Sequence, residues 1–459
     1  MRKVILSCVF ILFALGSFAQ DITGTWYGAM LTPGGKFTLI FHINKDEDLY
    51  GSTMDSPAQN FAGVPTAGTT FTNSNLTIIG PGAVFSFTGK YNIDSNKVFG
   101  TFTQGTVKLP MTFTRDLAGT AVRRPQDAKD YPYIKEEITV LNAKAPEVML
   151  SGTLTMPRDK KASKIVVLIT GSGPENRDEE MYDHRPFGVL ADWLTRQGIA
   201  VIRCDDRGVG KSTGNFLTAT TYDFADDANA IVSYIKSRAD LKDMKVGLVG
   251  HSEGGVMAAI AAGQNKQVDF TVLLASPGVP LTRILIEGTE LASGSNDASS
   301  LYEKIYQFII QNPTLSTDEI NKGIDAVIYK TFALTPGGKI NSLTAKAFSD
   351  LCKAQGFSGP WFRKYVALEP VVFISKLQCP VLAINGTLDM VVRSEENLNA
   401  IKGALQAGGN KHFEVTPITN LNHLFQTTKP GPIVTYDKIS ETFSPVALAK
   451  VSDWINGLK

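Results

Sequence analysis

The stretch that decides the expected fold reads Val246-Gly247-Leu248-Val249-Gly250-His251-Ser252-Glu253-Gly254-Gly255. Its first half has the apolar composition of a buried strand ending at Gly250, and residues 256–260 beyond it favour a helix. Gly-x-Ser-x-Gly between a strand and a helix places a serine at the tip of a sharp turn. Flanking glycines are needed because side chains there would hold the strand and helix apart. We therefore expect Ser252 to be a nucleophile.

The amino terminus has the pattern of a signal peptide. Arg2 and Lys3 precede the apolar residues 4–15, and small residues at 16–19 suit cleavage near Ala19. The apolar run is too short to span a bilayer, and no later segment approaches that length. Cys8 is interpreted as part of the apolar run rather than as a lipidation site. We expect residues 1–19 to be removed and the mature chain to be exported, either periplasmic or secreted.

Length and composition narrow the classes of protein to consider. A chain of 459 residues exceeds one ordinary core, which predicts two domains. The formal charge of +1 becomes about −1 without Arg2 and Lys3, so neither nucleic acid nor an anionic membrane is an expected partner. Five scattered histidines show no spacing typical of metal ligands, and no metal is expected. Cys204, Cys352 and Cys379 lie in apolar surroundings, which favours buried thiols and leaves one disulfide open.

The pattern of polar and apolar residues in 21–118 differs from that of the rest of the chain. Alternating polar and apolar runs, separated by Gly, Asn, Asp and Pro, occupy residues 25–31, 37–43, 76–79, 83–93, 97–104 and 109–114. This pattern predicts a small antiparallel β-barrel or sandwich domain. His42 lies in one of these strands and is interpreted as structural. Residues 119–132 are polar, contain proline, and are expected to form a linker.

In residues 133–459 the sequence pattern predicts buried strands that alternate with amphipathic helices. A hairpin is predicted at 137–141 and 148–156, and strands follow at 165–170, 200–203, 246–249, 270–275, 381–385 and 413–417. Helices are predicted at 186–196, 224–238, 254–262, 395–403 and 445–458. The alternation indicates an α/β domain with a mostly parallel sheet covered by helices on both faces. Residues 281–366 contain helical periodicity without a buried strand and are expected to form a lid.

A serine nucleophile needs a base, and two histidines follow Ser252 in the sequence. His412 begins a predicted strand, from which its side chain would point into or across the sheet. His423 follows the last strand and precedes the final helix, in a loop that can reach the serine. We expect His423 to be the base.

The base in turn needs a carboxylate that orients it. Asp389 lies in the turn after the predicted strand 381–385, 34 residues before His423. Glu395 and Glu396 come later, at the start of a helix, where a carboxylate more often complements the helix dipole. Asp389 is therefore the expected acid, and a Ser-Asp-His triad results.

The oxyanion formed during acyl transfer needs two main-chain N–H donors. One is expected from Glu253, the residue after the nucleophile. The other is expected from the loop that begins at Gly171, with Ser172 preferred and Gly173 as the alternative. Arg177 and Asp178 at the end of that loop are expected to brace it as an ion pair.

These motifs together resemble a known family. Gly-Ser-Gly-Pro-x-x-Arg-Asp at 171–178, Asp-Arg-Gly-x-Gly-x-Ser at 206–212, Gly-His-Ser-Glu-Gly-Gly at 250–255 and Gly-x-x-Asp at 386–389 occur in order before His423. Residues 133–459 thus resemble bacterial α/β-hydrolase carboxylesterases of the Gly-Ser-Gly-Pro type, related to serine aminopeptidase and prolyl-oligopeptidase hydrolase domains. The resemblance implies hydrolysis of short acyl esters. Gly24-Thr25-Trp26 makes the amino-terminal domain similar to lipocalin-like barrels.

Substrate contacts are harder to assign from sequence. Trp361 and Phe362 at the end of the lid are candidates for the acyl pocket or for anchoring the lid. Tyr182 and His184 are loop residues that could touch substrate. Glu179-Glu180 could bind the ammonium of a peptide substrate, although solvated surface residues are the more common interpretation.

Three hypotheses follow. The first is an exported serine esterase with a small-molecule substrate and no cofactor. The second keeps the chemistry but makes the substrate a peptide, as in an aminopeptidase or dipeptidyl peptidase. The third makes the chain a lipid-binding protein in which residues 21–118 carry the function. The acyl and alcohol groups and the oligomeric state stay open.

Overall fold

The computed structural model of the protein describes residues 22–32, 35–56, 61–81, 85–104, 107–115, 124–158, 162–293, 296–333, 342–430 and 436–459. The expected signal peptide, Cys8 and the linker residues 119–123 lie outside the described residues. Two compact units make up the chain. Described residues up to 115 form the first unit, except those between 31 and 38 and between 55 and 62, which group with the second. Across the described ranges, no helix has both the length and the apolar character to cross a membrane.

The first unit is a nine-stranded antiparallel sheet. Its strands are β1 (Gly24–Thr32), β2 (Gly35–Asp46), β3 (Leu49–Ser56), β4 (Phe61–Pro65), β5 (Gly68–Thr72), β6 (Asn75–Ile79), β7 (Ser86–Asn92), β8 (Lys97–Gln104) and β9 (Val107–Thr114). They follow the order β4-β3-β2-β1-β9-β8-β7-β6-β5. The edge strands β4 and β5 are joined by Thr66 and Ala67 alone, so the sheet must curl until its two edges approach. This is the barrel-like architecture expected from the sequence.

Aromatic residues fill the interior of the curled sheet. The ring of Phe113 stacks on Phe87, with centroids 4.1 Å apart, and on Phe41 at 5.1 Å. His42 lies in β2, where its Nδ1 is 3.1 Å from the Thr25 hydroxyl. Three strands, β3 to β5, were not predicted. Their inward positions include Ser52 and Thr69, whose hydroxyls are 2.7 Å apart, so the region lacks the apolar alternation that marks a strand.

The second unit is built on an eight-stranded sheet. Its strands are β10 (Tyr133–Leu141), β11 (Met149–Pro157), β12 (Lys164–Ile169), β13 (Ala200–Cys204), β14 (Lys245–His251), β15 (Phe270–Leu274), β16 (Val381–Gly386) and β17 (Phe413–Ile418). They follow the order β10-β11-β13-β12-β14-β15-β16-β17. β11 is antiparallel to its neighbours β10 and β13, and the six strands β12 to β17 are parallel to one another.

Eleven α-helices are described in this unit. They are α1 (Pro186–Arg196), α2 (Thr221–Ser237), α3 (Glu253–Gln264), α4 (Leu281–Ser293), α5 (Asn296–Gln311), α6 (Thr317–Ala333), α7 (Ser342–Ala354), α8 (Pro360–Tyr365), α9 (Pro370–Ile374), α10 (Ser394–Ala407) and α11 (Pro445–Gly457). α2 and α3 pack on one face of the sheet, and α1 and α11 on the other. In β12, Ile165 and Val167 face the first layer while Val166 and Leu168 face the second. Burial on both faces explains the continuous apolar strands.

The segment between β15 and β16 contains α4 to α9. Helices α5 to α8 share an apolar core that includes Ile305, Ile324, Ile328 and Phe362, whereas Ile374 of α9 packs with Leu273 and Val381 of the sheet. The helical insertion expected at 281–366 therefore begins at the start of α4 and extends through α9. Within the described part of the chain, Cys204, Cys352 and Cys379 are free thiols.

Candidate active site

Ser252 lies between β14 and α3 in a backbone conformation that L-residues rarely adopt, with φ 53° and ψ −123°. Its N–H donates to the Leu274 carbonyl at 2.9 Å, which ties the turn to β15. A Cβ on Gly250 would lie 2.0 Å from the Gly254 carbonyl oxygen. A Cβ on Gly254 would lie 2.3 Å from the carbonyl oxygens of Ile169 and Thr170. Both glycines are therefore required for the close approach of α3 to the sheet.

Asp389 and His423 lie in the loops that follow β16 and β17. His423 Nδ1 donates to Asp389 Oδ2 at 2.8 Å, and the Asp389 side chain is fully buried. The second oxygen, Oδ1, accepts from the N–H groups of Val391 and Val392 at 2.8 and 2.9 Å. The carboxylate is thereby fixed, and it holds His423 in the tautomer that leaves Nε2 able to accept a proton.

Ser252 and His423 line the same cavity, which has a volume of about 930 Å³. Much of its wall comes from the helical insertion, and that wall is mainly aliphatic and aromatic. The wall includes Ile284, Leu285, Leu291, Tyr302, Tyr306, Phe348, Phe357, Phe362 and Tyr365. Ser252 and His423 therefore face an apolar chamber, which suits the binding of an apolar group.

The loop after β12 brings Gly171 and Ser172 beside Ser252. A Cβ on Gly171 would lie 3.5 Å from the Ser252 Cβ, and both Gly171 and Ser172 line the cavity. Gly173 adopts φ 113°, a conformation that favours glycine. Glu253 is the first residue of α3, where a main-chain N–H has no acceptor within the helix. The site can thus offer N–H groups from both segments to a developing oxyanion.

The Glu253 side chain was not assigned a role from sequence, yet it is 1% exposed and directly follows Ser252. Its Oε1 accepts from Thr221 Oγ1 at 2.6 Å and from Trp361 Nε1 at 3.2 Å, and its Oε2 accepts from Ser172 Oγ at 2.8 Å. Burial raises the pKa of this carboxyl to about 7, against the three hydrogen bonds that lower it. Glu253 therefore links the turn at Ser252 to the loop after β12, to helix α2 and to helix α8 of the insertion. The sequence places Glu253 inside the Gly-x-Ser-x-Gly motif, which was the one indication that its side chain lies near the site. Its three hydrogen-bond donors come from distant parts of the chain, so the sequence did not reveal them.

Glu179 corrects the interpretation of the acidic pair at 179–180 as a solvated surface feature. Glu180 is exposed and pairs with Arg185 at 2.6 Å. Glu179 instead is 1% exposed, lies 2.8 Å from His251 Nδ1, and lines the cavity. Alternation of exposure along a loop cannot be read from sequence, because loops have no fixed period.

Arg177 and Asp178 also differ from expectation, since they do not pair with each other. Arg177 forms two hydrogen bonds to Asp205, at 2.9 and 2.8 Å. Asp178 accepts from Arg203 Nε at 2.6 Å. Both side chains thus tie the loop to β13 and the residue after it, so a bracing role persists with different partners.

Of the residues considered for substrate contact, some line the cavity and others do not. Phe362 lines the cavity, whereas Trp361 donates to Glu253 and packs with the lid and sheet cores. Tyr182 packs on Tyr436, with ring centroids 5.1 Å apart, and is not among the described residues that line the cavity. His184 is fully buried, with its ring nitrogens 2.9 Å from the Thr442 hydroxyl and 3.0 Å from a main-chain carbonyl. Trp361, Tyr182 and His184 therefore support the framework of the site.

Comparison with known proteins agrees with this architecture. Residues 182–307 match the family described as serine aminopeptidase, S33. The chain is 23% identical over 323 residues to the esterase EstD of Thermotoga maritima; the match covers 69% of this chain and 66% of that protein's length.

The solved structures to which the chain is similar include an esterase of Pyrococcus furiosus, with 19% identity and a TM-score of 0.44 over 64% of this chain and 85% of that one. Another is Est1E of Butyrivibrio proteoclasticus with ferulic acid bound, with 17% identity and a TM-score of 0.41 over 70% of this chain and 98% of that one. The family match, the curated relative and the order of the eight-stranded sheet support an α/β-hydrolase fold for the second unit and a carboxylesterase-like enzyme.

Proposed function

We propose that this chain is an exported serine esterase that cleaves carboxylic esters through an acyl-enzyme intermediate. The observation that carries the proposal is the buried hydrogen bond between His423 Nδ1 and Asp389 Oδ2, on the cavity that Ser252 also lines. Serine needs a base to become nucleophilic, and an oriented histidine supplies one.

In the proposed reaction, Ser252 Oγ attacks the ester carbonyl while its proton moves to His423 Nε2. Asp389 stabilises the imidazolium, and the N–H groups of Ser172 and Glu253 bind the oxyanion. His423 then protonates the leaving alcohol, and an acyl-Ser252 ester is left. Water, deprotonated by His423, hydrolyses this ester and regenerates the enzyme. Every step uses side-chain and main-chain groups, so the proposal requires no cofactor.

The apolar wall of the cavity supports the proposal that the acyl group of the substrate binds by burial of its carbon chain. Each buried methylene contributes about 0.8 kcal/mol, or roughly a fourfold gain in kcat/KM per added carbon until the available space is filled. We expect short acyl esters to be cleaved and the rate to rise over the first members of a p-nitrophenyl ester series. A series that is flat or that falls from acetate onward would contradict binding of the acyl chain by this wall.

The serine assignment is tested with a fluorophosphonate probe. The wild-type enzyme should be labelled stoichiometrically, and Ser252→Ala should neither be labelled nor retain more than about 10⁻⁵ of the wild-type kcat. Stoichiometric labelling of Ser252→Ala would exclude Ser252 as the nucleophile.

A peptidase is the second candidate, favoured by the description of the matched family and by the carboxyls of Glu175 and Glu179 on the cavity wall. Neither carboxyl is well suited to bind an ammonium group. Glu179 Oε1 already accepts from Gly171 N–H and pairs with His251. Burial, with Glu179 and Asp206 nearby, raises the pKa of Glu175 well above its ordinary value and favours its neutral form. Faster hydrolysis of aminoacyl-p-nitroanilides than of p-nitrophenyl butyrate would nevertheless favour the peptidase.

A further inference from the structure

A second histidine–carboxylate pair lies beside the first. His251 Nδ1 is 2.8 Å from Glu179 Oε1, and His251 Nε2 is 2.9 Å from the main-chain oxygen of His423. Both side chains are almost fully buried, at 5% and 1% exposure. The proposed mechanism gives neither side chain a chemical step.

The two acceptors define the protonation state of this pair. A carbonyl oxygen can only accept, so Nε2 of His251 must carry a proton. Nδ1 faces a carboxylate oxygen that also accepts from Gly171 N–H at 3.1 Å. With Glu179 ionised, its oxygen accepts from both Gly171 and Nδ1, so both ring nitrogens donate and the pair is an imidazolium with a carboxylate.

The contacts of this pair reach three segments of the site. His251 directly precedes Ser252 in the nucleophile turn. Glu179 holds the N–H of Gly171, the residue before the expected oxyanion donor Ser172. His251 holds the carbonyl of His423 itself. Each contact fixes main chain rather than side chain, so the pair sets where these segments lie with respect to one another.

We propose that His251 and Glu179 are positioning residues which hold the nucleophile turn, the oxyanion loop and the loop of the base in register for catalysis. This inference rests on the proposed function, because it assumes that Ser252 and His423 perform the chemistry. A displacement of about 1 Å at reacting groups can reduce the rate by about 10²-fold. Loss of the pair should therefore lower kcat far more than it raises KM.

The pair also confers a pH dependence. The titratable groups that face His251 are Glu179, Asp389 and His423, whose ring centroid is 4.8 Å away. Burial lowers the pKa of His251, but Glu179, the His423 carbonyl and Asp389 raise it further, and the net direction is upward. The charged pair is thus intact below the ordinary value of 6.5 and is lost as the pH rises through the raised pKa. Neutral His251 has one N–H and cannot donate to both acceptors.

The experiment compares Glu179→Ala, Glu179→Gln and the control Glu180→Ala in the full-length chain. Glu179→Ala should lose about 10²-fold in kcat with KM within about threefold. Glutamine can donate an N–H to Nδ1 of a neutral His251 while Nε2–H still donates to His423, and only the hydrogen bond from Gly171 N–H, which shares that Glu179 oxygen, is lost. Loss of the charged pair should make the kcat of the wild type decline at alkaline pH. Glu179→Gln should keep kcat within about tenfold and should not show that alkaline decline. Glu180→Ala removes an exposed neighbouring carboxylate and should stay within about twofold.

Labelling by the fluorophosphonate probe separates this inference from the proposed function. If Ser252 is not labelled in the wild type, the proposed function fails first. If labelling is stoichiometric but Glu179→Ala keeps wild-type kcat, the pair does not position the site. The inference is equally overturned if Glu179→Gln and the wild type share the same alkaline decline. This last comparison stands even if Glu179→Ala does not fold.

Discussion

Replacement of Glu253 by glutamine should stabilise the protein at alkaline pH. This carboxyl is 1% exposed, and its burial raises its pKa from the ordinary 4.5 to about 7. A raised carboxyl pKa means that the unfolded chain releases this proton at lower pH than the folded protein does. Stability is therefore lost progressively as the pH rises from about 4.5 to about 7. At about 1.4 kcal/mol per pKa unit, the full loss above pH 7 is about 3 kcal/mol.

Glutamine removes that loss because it does not ionise. Its amide oxygen can still accept from Thr221 and Trp361, and its N–H can donate to Ser172 Oγ, so we allow a cost of about 1 kcal/mol at all pH values for changed hydrogen bonds. Glu253→Gln should then be less stable than the wild type by about 1 kcal/mol at pH 4.5. It should be more stable by about 2 kcal/mol at pH 9.

The assay is denaturant unfolding of both proteins across this pH range, followed by tryptophan fluorescence. Glu395→Gln, which changes an exposed glutamate at the start of α10, serves as the matched control and should leave the pH dependence unaltered. If the stability difference between Glu253→Gln and the wild type does not change with pH, the buried carboxyl does not titrate near 7 and the argument is wrong.

Three further predictions concern single contacts. Asp389→Asn should lower kcat by about 10⁴-fold with little change in KM, because an amide N–H facing the imidazole favours the wrong tautomer; a loss below tenfold in ester hydrolysis would contradict this. Gly254→Ala should reduce the melting temperature and activity, because its Cβ would lie 2.3 Å from two carbonyl oxygens. The control is Gly263→Ala in the same helix, whose Cβ would meet its nearest atom at 3.5 Å and which should not lower the melting temperature. Arg207→Ala should destabilise the protein by about 3–5 kcal/mol in denaturant unfolding, because the bonds of 2.7 and 2.8 Å from Arg207 to the buried Asp227 are lost; a change below about 1 kcal/mol would refute a structural role for this pair.

Local sequence patterns were sufficient for much of the hydrolase domain. The helix predicted at 186–196 has those bounds in the structure, since a proline at its start and an amphipathic period mark it. Strands β14 and β15, which come before and after Ser252 in the sequence, were recognisable because burial on both faces leaves a continuous apolar run. By contrast, β3 to β5 were missed because hydroxyl side chains such as Ser52 and Thr69 pair with each other inside the curled sheet.

The sequence by itself determined the α/β class of the second domain and the residues to examine, because both depend on short-range periodicity and on the strand or loop in which a residue falls. Only the tertiary structure decided which partners those residues have. It separated Arg177 from Asp178, buried Glu179 against His251, and joined Glu253 to Trp361. These contacts bring together side chains that the chain order keeps apart, and hydrogen bonding inside a buried site depends on distances that no local pattern specifies.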